Sequence, residues 1–128
     1  NTRFQIMANF IRDVVHDVHR QEINKLVRSG NRQYVSMMKR ARTLMTRESR
    51  LLSDRARAQL FDVLKLSPRL QQVYFMKQRL QDIWSSQAQS QEKLLSALED
   101  WCRTAEASGI EALREFSRRL RRYELAAA

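Results

Sequence analysis

From Phe4 to Val27 apolar residues return every three or four positions: Met7, Phe10 and Ile11, Val14 and Val15, Val18, Ile23, then Leu26 and Val27. That is helical period, not strand alternation. Ser29-Gly30-Asn31 follows and suits a helix end, since glycine tolerates the left-handed cap. A second helix is predicted from about Arg32 to Met45, with Tyr34, Val35, Met38, Ala41 and Met45 as its apolar stripe. Residues 46–53 read as a polar loop, and Ser53 as the N-cap of a third helix over about 54–66 that buries Leu60, Phe61 and Leu64. Ser67-Pro68 is the clearest boundary, because proline is pre-organised for the first helical position. The helix it opens carries Leu70, Val73, Tyr74, Met76, Leu80, Ile83 and Trp84, about half its circumference, which predicts a central helix. The polar stretch Ser85–Ser90 interrupts it; Ser86 with Gln89 fits a capping box, and Ser90 is a competing cap. The next helix, to about Ala107, places Leu94, Leu95, Leu98, Trp101, Cys102 and Ala105 in an arc of about 120°. Ser108-Gly109-Ile110 is expected to close it in a Schellman-type end, with Ile110 folding back. A last helix from about Glu111 sets Ile110, Leu113, Phe116 and Leu120 on one side and Arg114, Arg118, Arg121 and Arg122 on another.

Composition narrows the fold. In 128 residues there are two glycines and one proline, too few for a barrel, a Greek key or a multi-hairpin sheet. The apolar share of 43% is enough for a core, which argues against global disorder. The expected fold is all-α, a compact bundle of five or six helices joined by short loops, in one domain over residues 1–128. One cysteine excludes an internal disulfide framework and most cysteine-based zinc sites, and suits a cytoplasmic location. No apolar run is long enough to span a membrane, and no signal-peptide core stands near the start.

Little in the sequence resembles catalytic machinery. His16 and His19 can share a helical face, and Asp13 with His16 forms one acid-x-x-His unit. Carboxylate-bridged metal bundles need two such units plus further glutamates, so exposed helical histidines are the expected reading. The two glycines are too far apart for a phosphate loop. Cys102 falls on an apolar face and is expected as a buried thiol rather than a nucleophile. Trp84 and Trp101 are expected in the core, as is Met38, while Met37 is left undecided.

Charge carries the functional signal. The formal net charge is +10, and it is uneven. Residues 25–57 hold ten basic and two acidic side chains, residues 80–113 hold two basic and six acidic, and residues 114–128 return to net +3. Arg32, Lys39, Arg40, Arg47 and Arg50, with Arg55 and Arg57 beyond, line the second helix and the loop after it. Arg118, Arg119, Arg121 and Arg122 form the second zone. Arginine suits bidentate phosphate contact, and nothing here supplies base-edge readout, so salt-sensitive, weakly sequence-selective binding to a nucleic-acid backbone is expected. The alternative is that these residues are solvated helix faces.

Several strings, taken in order, resemble a known family. They are Leu66-Ser67-Pro68-Arg69-Leu70, a helix ending in Ile83-Trp84, Leu98-Glu99-Asp100-Trp101, Ala107-Ser108-Gly109-Ile110, and Leu113 through Arg122. Val14-Val15-His16-Asp17-Val18 and Met37–Met45 add a less sharp match in the first half. Their order and spacing resemble the helical insert of bacterial insertion-sequence transposases with a DDE core, the type named ISL-three. The resemblance implies an RNase H-like catalytic core in which three carboxylates hold two divalent metal ions, magnesium being the expected metal, for strand transfer on DNA. It further implies that this chain is the insert between the second and third carboxylates, with no cofactor and no catalysis of its own. In the family the second aspartate precedes a Phe-His pair; here the pair is Phe4-Gln5 and Thr2 stands where the aspartate is expected. Either the chain begins at an altered junction or this copy is degenerate. The third carboxylate is expected beyond Ala128, which makes Arg118, Arg119, Arg121 and Arg122 the favoured contacts to DNA near the active site.

The expected partners are therefore transposon-end or target DNA and the remainder of the transposase core, with homo-oligomer formation as an option and no membrane. The rival readings are a free-standing basic helical module that binds other proteins, and, last, a membrane-surface helix formed by the basic and apolar faces of the final segment.

Overall fold

Thr2–Phe10 (α1) runs without a break through a π-helical turn, Ile11–Val15, into His16–Arg28 (α2). Residues 2–85 and 90–122 are described by the computed structural model of the chain. After a 3-10 turn at Arg32–Tyr34 come Val35–Thr46 (α3), a second 3-10 turn at Ser49–Leu51, Asp54–Leu64 (α4), Pro68–Ser85 (α5), Gln91–Ala107 (α6) and Glu111–Leu120 (α7). With α1 and α2 counted as one rod, six helical rods stand among the described residues, and no strand does. The all-α expectation holds.

The helix ends follow from named side chains. At the end of α2 the N–H of Asn31 reaches the Leu26 carbonyl at 3.0 Å and that of Gly30 reaches Val27 at 3.3 Å, with Gly30 at φ +81°, a Schellman end. Ser53 caps α4 by accepting the Ala56 N–H at 3.1 Å, and Ser90 caps α6 by accepting that of Lys93 at 3.2 Å. Ser67 caps α5 through the Leu70 N–H at 3.1 Å. The proposed Ser86–Gln89 capping box lies outside the described residues. At the end of α6, Ile110 folds into the core as expected, but its N–H is held by Ser108 Oγ at 3.1 Å instead of closing a Schellman ring.

The core gathers around α5, which packs against α1, the π turn, α2, α4 and α6. Leu70, Val73, Met76 and Leu80 are fully buried there, as its broad apolar arc predicts. Phe10, Trp101 and Phe116, from α1, α6 and α7, meet edge to face with ring centroids 5.1–5.9 Å apart. Trp101 Nε1 donates to the Met76 carbonyl at 2.9 Å, tying α6 to α5. Cys102 is buried beside it, and burial raises its thiol pKa.

Some expectations are corrected. Phe61 is 53% exposed, because α4 turns Leu60, Val63 and Leu64 inward; an arc containing 60 and 64 extends equally well to 61 or 63. Tyr34 sits in the 3-10 turn and is exposed. The 46–53 segment contains a 3-10 turn and buries Leu52. The histidines are not solvent-facing: His19 is 2% exposed and His16 is half-buried.

Candidate nucleic-acid interface

Helix α3 is amphipathic, with Met38, Ala41 and Met45 buried. The helical period turns Lys39 and Arg40 away from that stripe. Arg32 precedes the helix in the 3-10 turn, and Arg47 follows it in extended conformation. All four side chains are exposed, and none forms an ion pair among the described residues. The backbone at Arg47 is fixed, since its carbonyl accepts a hydrogen bond from Lys77 Nζ at 2.5 Å. Arg50 is also exposed, but its charge is engaged by Glu48 at 2.6 Å. Farther along, Arg57 donates to the Ser49 carbonyl at 2.9 Å, and Arg55 faces solvent on α4.

Between α2 and α3 lies a cleft of about 310 Å³ lined by His16, His19, Arg20, Ile23, Lys39 and Arg42. Arg42 Nη2 donates to His16 Nδ1 at 3.3 Å, which makes that nitrogen an acceptor and the ring neutral. Burial first, then the charges of Arg42 and His19, lower the His16 pKa. His19 Nε2 donates to the Met38 carbonyl at 2.7 Å; burial lowers its pKa and outweighs that hydrogen bond. Arg20 is paired with Asp17.

The second zone is wired differently. Arg121 holds Glu106 through two nitrogens, at 2.6 and 3.0 Å, and Glu99 at 2.5 Å, so it clamps the end of α7 to α6. Its bonds to the two carboxylates raise the Arg121 pKa and lower those of Glu106 and Glu99. Arg118 pairs with Glu115 at 2.9 Å, and Arg119 reaches Asp13 within the π turn at 3.3 Å. Arg122 is exposed without an ion pair among the described residues. The arginine cluster that looks uniform in sequence is thus split: three members are engaged with carboxylates and one is not.

His16, Arg20 and Arg42 were not among the basic residues singled out from the sequence. Arg20 lies in a segment of balanced charge, and the histidines carried no charge signal. Only the packing of α2 on α3 brings them together. Among the described residues no group of three or more His, Cys, Asp or Glu could hold a metal ion. No described helix is long and apolar enough to cross a membrane.

A protein-family model described as "Transposase", of the ISL-three DDE type, matches residues 3–126. The chain is also similar to the transposase for insertion sequence element IS1001 of Bordetella parapertussis, at 28% identity over 120 residues. That match covers 94% of this chain and 29% of the relative, so the chain spans less than a third of that protein's length. No solved structure matches it. With the family match running almost end to end across this helical bundle, the chain belongs to the ISL-three family of DDE transposases.

Proposed function

We propose that this chain works in DNA transposition as a helical insertion domain, a single unit that braces a DDE catalytic core and contacts DNA phosphates. The observation that carries the DNA contact is the row of exposed, unpaired cations along α3, Arg32, Lys39, Arg40 and Arg47, beside a second zone whose arginines are mostly engaged internally. Unpaired arginine and lysine can take phosphate without first giving up a carboxylate. Arg50 is paired with Glu48 at an exposed edge, so it joins at lower gain, and Arg122 extends the surface at the other end of the chain. Arg118, Arg119 and Arg121 act on this reading by fixing the α7 end, and add phosphate contact only by sharing their carboxylate partners.

Bracing is supported by an apolar groove of about 440 Å³ lined by Phe61, Leu64, Tyr74 and Phe75, with Phe61 and Phe75 more than half exposed. Strand transfer with two divalent metal ions belongs, on this reading, to the carboxylates of the whole transposase, which acts in the cytoplasm and as an oligomer. The fragment supplies no catalytic group. Titrating the chain with duplex DNA at two salt concentrations tests the DNA contact. Binding that weakens steeply with salt is expected; binding absent at low salt would overturn it.

A further inference from the structure

Three cationic side chains from two helices, Arg20 on α2 with Lys39 and Arg42 on α3, line the α2–α3 cleft, and no carboxylate lines it. Arg42 differs from every arginine of the second zone except Arg122 in having no carboxylate partner: it donates to a neutral imidazole, so its positive charge is uncompensated. The two histidines are fixed rather than free. His19 spends Nε2 on the Met38 carbonyl and His16 spends Nδ1 on Arg42, so neither offers that nitrogen to a metal, and the surrounding cations repel one. Ile23 provides an apolar wall. Lys39 has no ion pair among the described residues, and Arg20 keeps donors beyond the Nη2 that binds Asp17. The opening of about 310 Å³ has room for a phosphodiester.

We propose that this cleft is a phosphate seat, in which Arg42 and Lys39 hold one backbone phosphate of bound DNA, Arg20 closes its rim and His16 orients Arg42. The inference rests on the DNA-contact reading and assigns it a site containing three residues, His16, Arg20 and Arg42, outside the exposed α3 row. A planar arginine fork beside a lysine matches a tetrahedral oxyanion, with Arg42 steered by a nitrogen acceptor that carries no competing negative charge.

Two measurements on the 128-residue chain test it. In the first, inorganic phosphate is titrated while the imidazole resonances of His16 and His19 are followed by NMR. A saturable shift of His16 that vanishes in Arg42→Ala is expected; a linear, unsaturable drift equal in both proteins would overturn the seat. In the second, duplex DNA affinity is measured against salt for wild type, Arg42→Ala and Arg42→Lys. Loss of one phosphate contact should lower the salt slope of Arg42→Ala by about 0.9. Arg42→Lys, which keeps the charge and loses the fork, should retain the slope with weaker binding. Wild-type DNA binding with an unchanged Arg42→Ala slope would overturn the seat and leave the DNA-contact reading standing. No DNA binding by wild type would overturn that reading, and a saturable phosphate shift would then mark the cleft as a site for a free anion.

Discussion

Glu22 is the buried charge on which the junction of α2 and α5 turns. Its carboxylate accepts from Ser67 Oγ at 2.5 Å and from Arg69 Nη1 at 3.1 Å, and only 6% of the residue is exposed. Removing the carboxylate leaves the buried Ser67 hydroxyl without its acceptor, whereas Arg69, 39% exposed, can turn to water, so Glu22→Ala should cost about 1–3 kcal/mol in urea unfolding. Glu22→Gln, which keeps an acceptor for Ser67, should cost less. Lys77 gives a pH signature. It is 1% exposed, and burial, opposed by the charge of Glu48, lowers its pKa to about 8. Between about pH 8 and its unfolded value near 10.5 the unfolded chain binds more protons at this residue, so its contribution to stability rises with pH. Unfolding at pH 8 and pH 10 should show wild type gaining relative to Lys77→Met; an unchanged difference would contradict the assignment. Neither residue stood out in the sequence. A polar side chain is buried when a distant partner meets it, and the partners of Glu22, Lys77 and His19 lie 45, 30 and 19 residues away. Periodicity contains no such information. The buried apolar residues of α5 and α7 were legible because one helix face decides them.

Among the elements, the π turn is the feature that the pattern signalled without naming. In an unbroken α-helix Val14, Val15 and Val18 would stand about 40°, 140° and 80° around the axis from Phe10, at about 100° per residue, which leaves Val15 facing away from the core. One additional residue in the turn, closed by the His16 N–H to the Ile11 carbonyl, brings all four onto one side, where each is fully buried. The doublets Phe10-Ile11 and Val14-Val15 are the trace this leaves in the sequence. Deleting the exposed Arg12 should therefore regularise the helix and preserve the near-ultraviolet circular dichroism of Trp101. Deleting Gln72 from the regular helix α5 should abolish it by turning Leu80 and Trp84 out of the core. Loss of the signal in the Arg12 deletion would contradict the proposed register. Caps were the most readable element features, since Ser53, Ser90, Ser67 and Gly30 act within a few residues of themselves. Phe61 was misassigned for the opposite reason: the face α4 buries is chosen by its neighbours α3 and α5.

Over the whole molecule the net charge of +10 resolves into two basic zones whose side chains are paired differently. The acidic residues Glu99 and Glu106 of α6 meet Arg121 at the end of α7, neutralise it and hold the last helix in place. The first zone has few carboxylates to meet; along α3 its cations face solvent, and between α2 and α3 they line a cleft. The segment counts made two basic zones visible, but an arginine next to a glutamate in space and one next to water look alike in a sequence. The family was readable in the order of its motifs, whereas which arginines are paired with carboxylates required the packed helices. On the proposed reading α3 carries the DNA contact. Salt-dependent binding of a duplex, measured by fluorescence anisotropy for wild type, Lys39→Ala/Arg40→Ala/Arg47→Ala and Arg118→Ala/Arg119→Ala, tests it most directly. The α3 variant should lose most of the affinity, with a salt slope lower by about 0.9 for each phosphate contact removed, while the α7 variant keeps both. Equal loss in the two variants, or loss confined to the α7 variant, would contradict it.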